Sequence, residues 1–220
     1  MLFLPIGCLL FAFFILALPF LFLLGYFHIV TLGFERLGIP SGFTFLILLA
    51  ILFGSAINIP LGRKKVFVEE RVSFFGLFRR KEPKIQGLAI NLGGAVIPVS
   101  LSFYFLFFIW RAGGDLIMLS AALGLMIIVS KILSRVIPGK GVALPALVPP
   151  VFSAIFSLML VPQFAAPTAF IAGTLGVLIG ADLLNLRRAQ KAGSFLSIGG
   201  AGVFDGIFLV GIVSALLAGL

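Results

Sequence analysis

Acid is scarce in this chain. Of its 220 residues only seven are Asp or Glu, and the three aspartates are Asp115, Asp182 and Asp205. There is one Cys and one His. A single Cys excludes an internal disulfide and a metal site built on cysteine. His28, beside Tyr26, reads as a polar residue at a membrane interface. Nothing in the residue pattern suggests a metal or any other cofactor.

Charge of either sign makes up 10% of the chain, against 61% hydrophobic residues. Mean hydropathy is +1.28, far outside the range of soluble domains. What fills the sequence instead is apolar runs long enough to cross a bilayer, which takes roughly 20 residues as a helix. They predict about seven spans, near 2–26, 43–60, 87–109, 115–133, 145–162, 167–185 and 199–219. The expectation is a single all-α domain over 1–220, a polytopic helical membrane protein. The first run lacks a basic flank and is too long for a signal-peptide core, so it reads as a retained span. Gly7-Cys8 faintly resembles a lipoprotein box, but Pro5 and the absence of upstream charge argue for a packed or lipid-facing thiol.

The formal net charge is +9, and its distribution is uneven. Segment 61–86 carries Arg63, Lys64, Lys65, Arg71, Arg79, Arg80, Lys81 and Lys84; segment 131–140 carries Lys131, Arg135 and Lys140; segment 186–194 carries Arg187, Arg188 and Lys191. These are alternate loops of the seven-span reading. The opposite loops hold only Arg36 and Arg111. The positive-inside rule then predicts a multi-pass cell-membrane protein with the N-terminus in the cytoplasm and the C-terminus outside. Cations placed against the membrane match anionic lipid, not nucleic acid. No residue pattern specifies an oligomeric state.

A carboxylate within a span is costly and usually functional. Asp115 sits after Gly113 and Gly114 at the outer edge of the fourth span, where it is expected to cap the helix. Asp182 lies five residues before Arg187, near the cytoplasmic end of the sixth span. Asp205 lies in SIGGAGVFDGIFLVGI, early in the seventh. The two acids are thus on consecutive antiparallel spans at similar depth, and Gly199, Gly200, Ala201 and Gly202 allow the chain between them to unwind. Two carboxyl groups sharing a low-dielectric site do not both ionise, so one accepts a proton from water while the other donates a hydrogen bond. Three readings stay open: a catalytic dyad, a proton relay on broken glycine-rich helices, or a structural pair. In the last, Asp182 bonds Arg187 or Arg188, and Asp205 starts a helix.

GVALPALVPPVF, residues 141–152, opens the fifth span from the same side. Its prolines either line a cavity, where free backbone groups are tolerated, or simply occupy a first helical turn. Asn58 and Asn91 flank the first basic segment; they are placed either to orient the aspartates or to cross-link helices. Gly93, Gly94 and Pro98 predict a bend or close packing.

Pro145-Ala146-Leu147 resembles the Pro-Ala-Leu motif of presenilins and signal peptide peptidases. Gly202-Val203-Phe204-Asp205, followed by Gly206, resembles their Gly-x-Gly-Asp motif. The resemblance implies an intramembrane aspartyl protease acting on a hydrophobic transmembrane peptide. It assigns Asp182 and Asp205 as catalytic residues and the helices of 141–220 as the active-site region. Pro145, Ala146, Leu147, Gly202, Phe204 and Gly206 would shape the site, with Asn91 in support. Phe204 stands where the family has glycine, Ala181 stands where it usually has tyrosine, and the Pro-Ala-Leu motif precedes the aspartates instead of following them. The whole chain also resembles an uncharacterised prokaryotic membrane protein family, described only as a domain of unknown function. Within loop 61–86, the β-like runs Lys65–Glu69 and Val72–Phe75 predict a small hairpin. Such a hairpin offers an edge to an extended substrate, a mode that the resembled family implies, or anchors the loop at the interface.

Overall fold

A computed structural model describes residues 28, 31–32, 34–61, 65–73, 78–137, 141–191, 195–200 and 206–220. Its helices are α1 (Ser41–Ser55), α2 (Ile97–Arg111), α3 (Leu116–Leu133), α4 (Val148–Leu160), α5 (Ala165–Val177), α6 (Leu186–Lys191) and α7 (Gly206–Ala218). With the irregular turns attached to them, three helical runs are long and apolar enough to cross a membrane: Leu92–Arg111, Leu116–Leu133 and Pro162–Gln190. Three more are apolar but shorter. The chain is a mostly helical membrane protein.

The helices pack around α5, which is buried along nearly its whole length. Its Ala166, Ala169, Ala172, Gly173 and Gly176 are small enough to let neighbouring backbones approach, the usual way helices associate in lipid. α2, α3, α4 and α7 all pack against it. Above the small residues, Phe170 meets Phe105 of α2 edge-on, with ring centroids 5.3 Å apart. Phe208 of α7 stacks on Phe34 at 6.1 Å. The outward faces carry Phe103, Phe107, Ile117, Ile128 and Met159, all exposed, as lipid-facing positions should be.

The all-α expectation needs correction, because strands form at one end of the bundle. They are β1 (Asn58–Pro60), β2 (Lys65–Ser73), β3 (Phe78–Asn91), β4 (Arg135–Ile137), β5 (Gly141–Ala143) and β6 (Phe195–Ile198). β3 organises the main sheet. Its first part pairs antiparallel with β2, from Phe78 opposite Ser73 to Gln86 opposite Lys65. Its last residues lie between β1, antiparallel, and β6, parallel. β4 and β5 form a separate hairpin. The β2–β3 hairpin is longer than the runs expected within loop 61–86: Val72 and Ser73 belong to its first strand, and residues 74–77 lie outside the described residues.

Span boundaries shift accordingly. The run expected at 87–109 begins as strand, because Gly87–Asn91 is too short for its composition to tell strand from helix. Its helix proper starts at Ile97, after a π-helical turn over Leu92–Val96. The run expected at 43–60 ends as helix at Ser55. The runs expected from 145 and 199 start as helix at Val148 and Gly206. The run expected at 115–133 is α3, capped by Asp115, whose carboxylate accepts from the amides of Ile117 (2.9 Å) and Met118 (3.1 Å). The expected first span, 2–26, lies outside the described residues.

Gly93, within the π turn, is closely packed. A Cβ there would lie 2.1 Å from the carbonyl oxygen of Ile51 and 2.4 Å from the amide of Ser55. α1 therefore packs its backbone against the turn that starts the long run Leu92–Arg111. The bundle's two ends are distinguishable by charge. Arg111 and Asp115 lie at one end with Phe164, and Arg36 packs beside Gly219. Lys131, Arg135, Arg187 and Arg188 lie at the other, with the sheet.

Candidate functional site

Asp182 is placed by a local irregularity. α5 widens into a π-helical turn over Leu178–Asp182, tightens into a 3-10 turn over Leu183–Asn185, and resumes as α6. A π turn inserts one extra residue into a helix and is often found at functional sites. Asp182 is its last residue and is partly buried.

The irregular backbone beyond it is satisfied by a polar clasp. Asn185, 3% exposed, donates to the Ala181 carbonyl at 2.8 Å and to the Ser134 hydroxyl at 2.7 Å. Lys131, on the last turn of α3, donates to the Asn185 side-chain oxygen and to the Leu184 carbonyl at 3.0 Å. Carbonyls freed where a helix changes pitch need partners, and this clasp supplies them. Sequence reading missed Asn185. Its signal was an amide flanked by leucines just before Arg187 and Arg188.

Asp182 opens onto a cavity of about 390 Å³. One wall is the connection from β5 to α4, including Pro145, Ala146 and Leu147; another is the start of α7, including Gly206, Ile207 and Val210; Val177 and Ala181 complete it beside Asp182. Asp182 is the one titratable side chain among the described lining residues. Pro145, Ala146 and Leu147 form an exposed, non-helical segment, whereas Pro149 and Pro150 occupy the first turn of α4 and are buried. Both readings of the proline-rich run therefore apply, and Pro150 meets both, lying in the first turn of α4 and lining the cavity. Gly202, Phe204 and Asp205 lie outside the described residues. Gly206, which follows Asp205 in the chain, opens α7 and lines the cavity.

Asn91 does not line that cavity. Its side chain caps the π turn, accepting from the Gly94 amide at 2.8 Å, and donates to the Ser55 carbonyl at 2.7 Å. It also donates to Asn58, which accepts a second hydrogen bond from the Ser197 hydroxyl. Asn91 thus ties the end of α1 to β1 and β3, and through Asn58 to β6. Residues 199–200 follow β6 in the chain. Gly199 begins that segment with φ +69°. A Cβ there would fall 2.6 Å from the Cβ of Ala95, so only glycine fits both the left-handed backbone and the space.

Among the described residues, no group of three or more His, Cys, Asp or Glu side chains is placed to hold a metal ion. No curated protein and no solved structure matches the chain. A family model does match, over residues 52–217, which takes in the sheet, the cavity walls, Asp182 and Asp205. The chain belongs to that family, DUF1614, described as proteins of unknown function.

Proposed function

We propose that this protein is an intramembrane aspartyl protease that cleaves hydrophobic membrane-spanning peptides, with Asp182 and Asp205 as its catalytic pair. The observation that carries the reading is the cavity in which Asp182 faces Pro145–Leu147 and Gly206. These three stretches are far apart in sequence, and they carry the resemblance to presenilins and signal peptide peptidases. The cavity's size falls within the usual span of about 300–1,000 Å³ for ligand sites. Its walls are aliphatic apart from Asp182, which suits an apolar peptide and no charged ligand.

In the proposed reaction one carboxylate takes a proton from a water molecule, which attacks the scissile carbonyl. The second carboxyl group, still protonated, donates a hydrogen bond to that carbonyl and then protonates the leaving amine. The non-helical Pro145–Leu147 segment supports an unwound stretch of substrate beside the acids. The protein is proposed to span a prokaryotic plasma membrane about seven times, N-terminus inside, with the cavity toward the cytoplasm, on the strength of the basic-residue asymmetry.

The rival reading is proton-coupled transport through the same acids. One observation favours it: among the described residues, the buried hydroxyls of Ser157, Thr168 and Thr174 have no hydrogen-bond partner, and such groups suit a proton path toward the opposite face. A photoreactive hydroxyl-isostere analogue of the tetrahedral intermediate distinguishes the two. The protease reading expects covalent labelling of peptides containing residues 145–147 or 182, suppressed by excess unlabelled analogue. Absence of protectable labelling, together with proton uptake into vesicles that Asp182→Asn abolishes, would favour the transporter.

A further inference from the structure

A second cavity, of about 770 Å³, lies beside the first. It runs between the end of α3 with β4 and the start of the β5–α4 connection. Its walls are aliphatic, from Ile132, Leu133, Val136, Ile137 and Leu144, and Arg135 is its one charged lining residue. α6 packs against β4, which brings the helix carrying Arg187 and Arg188 alongside Arg135. All three arginines are exposed. Residues 131–200 hold six Lys and Arg (Lys131, Arg135, Lys140, Arg187, Arg188 and Lys191) against one acid, Asp182. Lys131 is already engaged with Leu184 and Asn185, so among the described side chains Arg135, Arg187 and Arg188 are the exposed cations beside the groove.

We propose that this groove binds one anionic phospholipid, its acyl chain along the aliphatic wall and its phosphate on Arg135, Arg187 and Arg188. This rests on the groove and its charge, not on the protease reading. Ile132, at the groove's edge, is 75% exposed, as expected of a surface that meets acyl chains. Guanidinium groups match phosphate oxygens in a two-pronged geometry. A free phosphate would leave the aliphatic wall without a partner. An acidic peptide would have to bury polar backbone against that wall at membrane depth, where unsatisfied groups are costly. A lipid satisfies both halves of the site. Ala143, Leu144 and Pro145 line both this groove and the Asp182 cavity, so the lipid would form part of the outer support of the Pro145 segment.

The test is lipid retention by the purified full-length protein, read by native mass spectrometry in mixed micelles. Phosphatidylglycerol and phosphatidylcholine with identical acyl chains are offered in equal amounts. Retention of one phosphatidylglycerol in at least tenfold preference is expected. Each arginine replaced by glutamine should weaken retention by about fivefold, so that R135Q/R187Q/R188Q keeps the two lipids equally. Lysine at the three positions should preserve most of the preference, and R36Q/R111Q, at the other end of the bundle, should leave it unchanged. Val136→Trp fills the groove without altering charge and should expel the lipid; it decides the matter alone if the triple glutamine variant does not fold. Equal retention of both lipids by the unaltered protein overturns the proposal. So does full retention by Val136→Trp, or inorganic phosphate or a poly-glutamate peptide binding at the arginines without displacing lipid.

Discussion

Asn91 donates through its side-chain nitrogen to the side-chain oxygen of Asn58 at 3.1 Å, across the position where the two residues are register partners of β3 and β1. Asn91 is 1% exposed, and three further groups depend on this knot: the Ser55 carbonyl, the Gly94 amide and the Ser197 hydroxyl. Removing it leaves buried polar groups unsatisfied. Asn91→Ala should therefore cost about 1–3 kcal/mol, seen as a lower midpoint of thermal unfolding in detergent. Asn58→Ala removes an acceptor at an exposed position and should cost clearly less. Equal effects would show that the knot is not centred on Asn91.

Gly199 offers a sharper test of the same region. Ala at this position meets both a left-handed φ and the Ala95 side chain at 2.6 Å. Gly199→Ala should destabilise the protein by at least ~1 kcal/mol, the usual scale of backbone strain alone. Gly124 is the control. It lies mid-helix in α3 with nothing within 4 Å of an added Cβ, so Gly124→Ala should raise stability by about 0.5–1 kcal/mol. Unfolding midpoints that move in the same direction for both variants would contradict the packing described around β6.

Membrane orientation is tested by cysteine labelling in a Cys8→Ser background. Positions 135, 188 and 191 should resist a membrane-impermeant thiol reagent in intact cells and react in inverted vesicles. Positions 36 and 111 should show the reverse. Labelling of position 191 from outside would put the Asp182 cavity on the wrong face for the proposed orientation.

The helical framework was legible because its signals are long. α3 is eighteen residues of mostly apolar helix behind an Asp cap, and a run of that length has few alternatives in a bilayer. The sheet was hard to read because its central strand changes character midway. Lys65–Ser73 shows the β-branched, charged pattern of a surface hairpin, but Gly87–Asn91 is apolar and short and runs directly into a helix, so it reads as part of a span. Asn58 and Asn91 looked like helix cross-links, as amides in apolar runs usually are; they are partners of β1 and β3, 33 residues apart, in a sheet whose β6 comes from more than a hundred residues further on. Span direction and loop charge placed Asp182 and Pro145–Leu147 at one level of the bundle, the resemblance grouped them, and both line one cavity. The π turn that carries Asp182 was not. Nothing in LIGAD distinguishes it from ordinary helix, and Asn185 becomes intelligible only when Lys131 and Ser134 are seen against it.

The central claim is that Asp182 and Asp205 act together on a peptide bond. The most direct measurement is cleavage of a generic single-span helical peptide by the purified protein in lipid. The comparison is among the unaltered chain, Asp182→Asn and Asp205→Asn, each shown to be inserted and monodisperse. The account predicts cleavage within the membrane-spanning part of the peptide, declining on both sides of a pH optimum as a shared proton requires. Each substitution should reduce it by at least ~100-fold, the scale of a lost acid or base. Cleavage that persists in either variant, or that stops on addition of a metal chelator, would contradict it.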